Sequence, residues 1–200
     1  MTFSPCQPRG GRVLQVTFRA TADGVATLNR LGVIDVKRTV PSPASFTSAD
    51  GLLEWAYDIS RRTIERTLED GYVDPWRERG LYLGDAYVAG LSHLCLTPDV
   101  SHVRHALTLF ADGQTADGQF PCVVPAYLRD PHEDFTLIFV DFLRRYVRET
   151  GDLETAAYVY PSVVAMFAGS RWSVAESGLW STDRGRVFLD WGVHPSLRTA

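Results

Sequence analysis

The chain has 200 residues, of which 45% are hydrophobic and 22% charged, as in an ordinary globular protein with room for a sizeable core. A net charge of −4 offers no basic face to a polyanion, which argues against a nucleic-acid partner. Cys6, Cys95 and Cys122 form no CxxC pair, so we expect reduced thiols. No basic-then-apolar leader opens the chain and no apolar run approaches the ~20 residues that span a bilayer, so we expect no membrane contact and a cytoplasmic location.

The first 45 residues differ in pattern from the rest. Residues 12–19 and 33–40 are rich in β-forming side chains that alternate in part with polar ones, and glycine and proline flank them. The pattern predicts two strands. Because two strands are not stable alone in water, we expect this β segment, residues 1–45, to pad the helical part or to end a β-domain.

From Phe46 the period becomes helical, and residues 46–200 form the second predicted domain. Thr47 and Asp50 are spaced as a capping box before a helix that ends near Leu68. One face of this predicted helix carries Leu52, Ala56, Ile59 and Thr63, and the opposite face carries Arg61, Arg62, Glu65 and Arg66.

Four more helices follow in the predicted pattern. They cover about 83–96, from Asp99 to about 111, from about 135 to a stop at Gly151, and from a cap at Asp152 to about 168. Asp141 interrupts the apolar part of the fourth helix, so we expect a structural pair for its carboxylate. Helical hairpins with short links predict a mainly α fold, an α-toroid in which paired helices ring a cavity.

Residues 74–86 are the densest polar segment, with three carboxylates, two arginines and two aromatic rings between two predicted helices. Carboxylates among arginines and aromatic faces are typical of sites that cleave glycosidic bonds. The alternative is a salt-bridged connection between helices.

The sequence predicts neither a metal site nor a cofactor. His102 and His105 stand at i, i+3, but no third ligand is placed to join them, which favours a solvated face. Gly84-Asp85-Ala86 is too short to indicate a phosphate loop.

Several motifs, in order, carry a family resemblance. Residues 71–79 with Gly84-Asp85-Ala86 resemble the active-site segment of bacterial α-L-rhamnosidases of the six-hairpin glycosidase superfamily. Residues 117–121, 134–137 with 148–153, and 188–192 are similar to later segments of that family, and the amino-terminal strands resemble the end of its β-sandwich.

The resemblance implies an (α/α)6 barrel and inverting hydrolysis of terminal α-L-rhamnosides. It implies that Glu78 is the general acid and that Arg77 and Asp85 hold sugar hydroxyls or orient the acid. Asp190 and Trp191 fall where the family lines the sugar pocket. Trp76 and Trp191 are candidates to stack on a sugar ring, although tryptophans are more often core residues.

Two features depart from the family pattern. The family has an acidic residue two places before the proline, where this chain has Val73, with Asp74 next to the proline instead. The chain also holds about half of the barrel's twelve helices, and the family's general base is expected beyond Ala200. Within the chain the carboxylates left open for that role are Asp74, Asp85, Glu133 and Asp190.

We therefore expect an incomplete (α/α)6 toroid: the end of a β-sandwich and the first half of the barrel of a glycoside hydrolase. The alternatives are a six-hairpin glycosidase with another sugar specificity and a non-catalytic remnant that binds sugar weakly at most. The uncovered flank of a half-barrel predicts self-association.

Overall fold

The computed structural model describes residues 13–17, 19, 24–25, 27–35, 38–41, 44–73, 79–125, 132–169 and 173–181. These residues are mostly helical, as predicted, and their helices are α1 (Gly51–Thr67), α2 (Leu83–Leu96), α3 (Ser101–Asp112), α4 (Glu133–Thr150) and α5 (Leu153–Ala168). Two short antiparallel ribbons join β1 (Leu81–Tyr82) to β2 (Val123–Val124) and β3 (Ser173–Val174) to β4 (Trp180–Ser181). None of the helices described is long and apolar enough to cross a membrane.

Local chemistry sets the helix ends. The Leu52 amide donates to Asp50 Oδ1 over 2.8 Å, so Asp50 itself caps α1, and the predicted Thr47 cap is wrong. Gly151 ends α4 in the left-handed conformation, with φ of 68°, where glycine avoids the steric cost of a side chain. Asp152 Oδ1 then accepts the Thr155 amide over 3.0 Å and starts α5, as predicted.

The face of α1 that packs inward differs from the prediction. Leu52 and Ile59 are 68% and 39% exposed, whereas Ile64, Glu65 and Leu68 are buried. Leu53 and Trp55 are 51% and 59% exposed as well, so the first half of α1 contributes little to the core. Contacts with neighbouring segments decide which face packs inward, and the carboxyl-terminal half of the helix is the part that meets the core.

A close contact joins α2 and α4. A Cβ at Gly84 would lie 3.0 Å from the Phe135 ring, and a Cβ at Gly90 would lie 2.6 Å from the Phe142 ring. Both glycines thus allow the two helices to approach more closely than larger residues would. Successive contacts advance along both helices in the same direction, so α2 and α4 are parallel.

The core lies between two layers of helices. α2 packs on α4 in one layer and α3 packs on α5 in the other. Phe120, from the loop after α3, stacks on Phe139 of α4 with ring centroids 3.8 Å apart, and Phe110 of α3 meets the same ring edge-on. Parallel neighbours within each layer, with antiparallel helices between layers, are the arrangement predicted for part of an (α/α)6 toroid.

Asp141 is structurally paired, as predicted. Its carboxylate accepts hydrogen bonds from Tyr87 Oη of α2 over 2.7 Å, from Arg145 Nε over 2.7 Å and from Arg144 Nη2 over 2.6 Å. The Tyr87 hydrogen bond and the two arginines hold the pKa of the Asp141 carboxyl well below its usual range. Asp141 therefore strengthens the contact between α2 and α4.

The predicted amino-terminal strands are not formed in residues 13–17, 19, 33–35 and 38–40, the part of those stretches that the structure describes. The Arg38 amide instead donates to the Glu65 carbonyl over 3.1 Å, and the Ala44 amide donates to the Leu96 carbonyl over 2.5 Å. Val40 is buried at 2% exposure. Arg38 and Ala44 thus bind carbonyl groups near the carboxyl ends of α1 and α2, which agrees with packing against the helical part, one of the two predicted arrangements. The domain division at residue 45 stays a prediction.

We predict that Gly90→Ala destabilises the fold by about 1–3 kcal/mol, because the new methyl group overlaps the Phe142 ring. Urea unfolding followed by circular dichroism measures this change. Gly51→Ala is the matched control, since a Cβ there meets nothing within 4 Å and the substitution favours the helix. Equal stability of the Gly90→Ala variant and the parent chain would contradict the close contact.

Candidate active site

The candidate site begins where α1 ends. The Val73 amide donates to the Thr67 carbonyl over 3.0 Å, the Glu69 amide donates to the Gly71 carbonyl over 3.0 Å, and Leu68 and Tyr72 form an antiparallel bridge. The chain therefore reverses directly after α1. This tight reversal leads straight into the segment that the sequence analysis singled out.

Most of the predicted site residues lie outside the described residues. These are Asp74, Trp76, Arg77, Glu78, Asp190 and Trp191, and their assigned roles stay predictions. Asp85 is described: it is exposed in the first turn of α2, where the helix dipole favours a carboxylate.

An ion pair spans the predicted site segment. Arg79 Nη2 contacts both carboxylate oxygens of Glu69, and its distance to Oε2 is 2.6 Å. The two side chains are only 16% and 30% exposed. Because Glu69 precedes the segment 74–78 and Arg79 follows it, the ion pair fixes the two sides of this segment relative to each other.

Glu69 is itself held by neighbouring parts of the fold. Its carbonyl accepts hydrogen bonds from Arg38 Nη1 over 3.3 Å and from His102 Nε2 over 3.4 Å. The amino-terminal segment and α3 thus both contact the residue that anchors Arg79.

A buried polar cluster lies beside this ion pair. Tyr72 Oη and His93 Nδ1 share a hydrogen bond of 2.6 Å, and each of these residues is 1% exposed. The His102 ring lies 5.9 Å from the His93 ring and 6.2 Å from the Tyr72 ring. His93 Nε2 is buried with no hydrogen-bond partner among the described residues.

Burial explains the protonation states of this cluster. Burial, reinforced by the nearby His102, lowers the pKa of His93 to about 4, and burial also lowers the pKa of His102. Burial raises the pKa of the Tyr72 hydroxyl above its usual range. Tyr72, His93 and His102 are therefore uncharged at neutral pH. The nearby Asp99 stays charged, because hydrogen bonds from Ser101 hold the pKa of its carboxyl low.

The prediction of a solvated histidine face is wrong for His102, which is 7% exposed, and holds for His105, which is exposed. His102, Ala106 and Phe110 recur at helical spacing and are all buried, so His102 lies on the inner side of α3. Among the described residues no group of three or more histidine, cysteine or acidic side chains is placed to hold a metal ion.

Sequence reasoning gave no role to Glu69, Tyr72 or His93. A sequence signal for His93 was present, because it falls at helical spacing in the series Leu83, Ala86, Gly90, His93 and Leu96. The structure buries all five residues. The partnership of Glu69 with Arg79 had no local signal, since ten residues separate the two.

The amino-terminal ends of α2 and α4 meet at one edge of the molecule. β1 pairs with β2 immediately before α2, and the Leu83 amide donates to the Cys122 carbonyl over 2.9 Å. Glu133 lies in the first turn of α4 and is 1% exposed, and Asp85 lies in the first turn of α2. Two of the four candidate carboxylates thus occupy the same edge, one buried and one exposed.

The model of the bacterial alpha-L-rhamnosidase six-hairpin glycosidase domain matches residues 41–199. The chain belongs to this family. The predicted resemblance is therefore confirmed, and with it the six-hairpin architecture of which the five described helices are a part.

Two solved structures of rhamnosidases are similar to this six-hairpin domain. A Klebsiella oxytoca rhamnosidase with rhamnose bound has a TM-score of 0.64 and 28% identity, and the match covers 75% of this chain and 31% of that one. A GH78 family rhamnosidase of Bacillus sp. GL1 has a TM-score of 0.68 and 27% identity, with 76% and 16% covered. The chain thus spans less than a third of either relative, and no curated protein matches it.

We predict that the domain loses stability as the pH falls from about 6.5 to about 4. The folded-state pKa of His93 lies below its unfolded value, so the unfolded chain binds more protons across this window. The contribution of neutral His93 to the free energy of unfolding is fully present above pH 6.5, and about 2–3 kcal/mol is lost on acidification to about pH 4.

Urea unfolding at a series of pH values measures this loss. His93→Gln should flatten the profile between these pH values, whereas His105→Gln at an exposed position should leave it unchanged. An identical pH dependence in the His93→Gln variant would contradict the buried neutral histidine.

Proposed function

We propose that this domain forms part of the active site of an inverting glycoside hydrolase that removes terminal α-L-rhamnose, with Glu78 as the general acid. Family membership over residues 41–199 carries this proposal. The rhamnose in the Klebsiella relative supports rhamnosides as the substrate class. The reaction itself needs no cofactor, because two carboxylates suffice for inversion.

In this mechanism Glu78 protonates the glycosidic oxygen as the bond to the sugar breaks. Arg77 and Asp85 hold sugar hydroxyls or orient the acid. Trp76 and Trp191 supply flat apolar faces for the ring. Asp190 completes the sugar pocket, and Asp74 makes the contact that the family assigns to an acidic residue at position 73.

Inversion also requires a second carboxylate about 6.5–9.5 Å from the first, with a water molecule between the base and the sugar. Among the carboxylates left open for this role, Glu133 is buried at 1% exposure. Asp85 is exposed but is assigned to the sugar hydroxyls. The family resemblance implies that the base lies on a later helix, beyond Ala200.

We predict that Glu78→Gln lowers kcat by about 10²–10⁴-fold on rhamnosides with poor leaving groups. The loss should be smaller on aryl rhamnosides with good leaving groups, because these need less protonation as the bond breaks. Steady-state kinetics with both substrate types measures the difference. Glu176→Gln, at an exposed turn, is the matched control.

Full activity of the Glu78→Gln variant on a poor leaving group would remove Glu78 from the acid role. Faster turnover of another aryl glycoside than of the rhamnoside would assign a different sugar specificity to the same scaffold, because a fold does not set its substrate.

A second candidate function is sugar binding without turnover. Absence of turnover on every aryl glycoside, together with thermal protection by rhamnose, would select this candidate over hydrolysis.

We further propose that the 200-residue chain self-associates through an apolar face of α4 and α5. A cleft of about 450 Å³ between these helices is lined by Val140, Leu143, Arg144, Val147, Ala156, Ala157, Tyr160 and Val163. On α5, the side chains of Tyr160, Val164 and Phe167 are 61%, 50% and 43% exposed. Glu154 is the one charged residue in α5, so little opposes association.

Sedimentation velocity over a range of concentrations measures this self-association. Val164→Glu should shift the chain toward monomer, because it places a charge within the apolar face. Leu52→Glu, which changes an exposed apolar residue of α1, is the matched control. A parent chain that stays monomeric would contradict the proposal.

A further inference from the structure

We propose that the ion pair between Glu69 and Arg79 is a positioning clamp for the segment that carries Glu78. This inference rests on the proposed function, since it assigns to two residues the task of holding the general acid in place. Because Arg79 directly follows Glu78 in the chain, a fixed Arg79 limits where the carboxyl end of Glu78 can lie.

The first support is the backbone of Arg79. Its φ of 53° is left-handed, and it is the one non-glycine residue with positive φ in the described part of the chain. A long side chain in this conformation costs about 1–2 kcal/mol and persists where the surroundings enforce it. The contacts of its guanidinium with both oxygens of Glu69 supply such a constraint.

The second support is the rigidity of Glu69. Its amide is bonded to the Gly71 carbonyl, and its own carbonyl accepts from Arg38 and His102. These bonds fix the Glu69 backbone, from which the carboxylate reaches Arg79. A surface ion pair between two mobile side chains would hold neither of them in place.

The third support is an independent anchor on the amino-terminal side of the segment. The Val73 amide is bonded to the Thr67 carbonyl, and Tyr72 is fixed by its hydrogen bond to His93. Both sides of residues 74–78 are thus attached to the helical core by different interactions. A catalytic group held between two fixed points keeps its geometry at low entropic cost.

Hydrogen exchange with the 200-residue chain tests the clamp without any need for activity. In the Glu69→Gln and Arg79→Lys variants we expect exchange to be about tenfold faster in peptides spanning residues 70–82, and unchanged in peptides from α5. Arg62→Lys is the matched control, because Arg62 pairs with Asp58 on the exposed side of α1. Unchanged exchange in residues 70–82, or faster exchange throughout the chain, would overturn the clamp.

Restoration by exchanging the two charges separates this ion pair from other contacts of Arg79. The double variant Glu69→Arg with Arg79→Glu should recover part of the protection that either single substitution removes. Protection no better than in the single variants would show that the pair itself does not hold the segment.

Kinetics of the active protein then test the catalytic consequence. Arg79→Lys should lower kcat by about ten- to hundredfold while KM changes little, because the sugar contacts stay in place as the acid moves. An active parent whose kcat survives Arg79→Lys would overturn the positioning role. Absence of turnover in a protein that contains both this domain and the general base would refute the proposed function instead, and hydrogen exchange would still decide the clamp.

Discussion

The parallel contact between α2 and α4 is the constraint on which most of this structure depends. Gly84 and Gly90 bring the helix axes close, and the rings of Phe135 and Phe142 fill the resulting interface. Because the two helices point the same way, both amino-terminal ends and their partial positive charges meet at one edge. The β1–β2 ribbon and the first-turn carboxylates Asp85 and Glu133 lie at this edge as a consequence.

The polar groups beside this edge show how a helical protein fixes a connection that is not itself helical. In the described residues between α1 and α2, 68–73 and 79–82, there is no long ladder of backbone hydrogen bonds. Glu69, Tyr72 and His93 supply specific bonds instead, and burial makes each bond costly to break. The Glu69–Arg79 ion pair is only partly buried, and desolvation offsets much of its attraction.

The features that sequence alone predicted are those with local causes. α2 has the predicted bounds, and the turn from α4 to α5 follows from Gly151 and Asp152, because a left-handed residue and a capping carboxylate act within a few residues. The pairing of Asp141 followed from the cost of burying an unpaired charge. The order of motifs along the chain was enough to identify the family, although no single motif was.

The features that sequence missed depend on distant partners. The Arg38 amide bonds to the Glu65 carbonyl of α1 and the Ala44 amide bonds to the Leu96 carbonyl at the end of α2, and both partners lie far along the chain. Glu69 and His102 are 33 residues apart, so no periodicity could join them. The motif predicts the candidate site, but the contacts of Glu69, Tyr72 and His93 beside it became visible only in the fold.

His102 and Arg104 of α3 bind different parts of the fold, and this affects how freely the sequence can vary. His102 touches the Glu69 carbonyl, and Arg104, two residues later, binds Asp152 at the start of α5 over 3.0 Å. In a stack of helices where each packs mainly on its neighbours, stability is close to a sum over adjacent pairs. Substitutions on the outer surface of α5 thus affect mainly its packing on α3 and α4. The chain reversal after α1 can stay unchanged while the sequence of that surface varies.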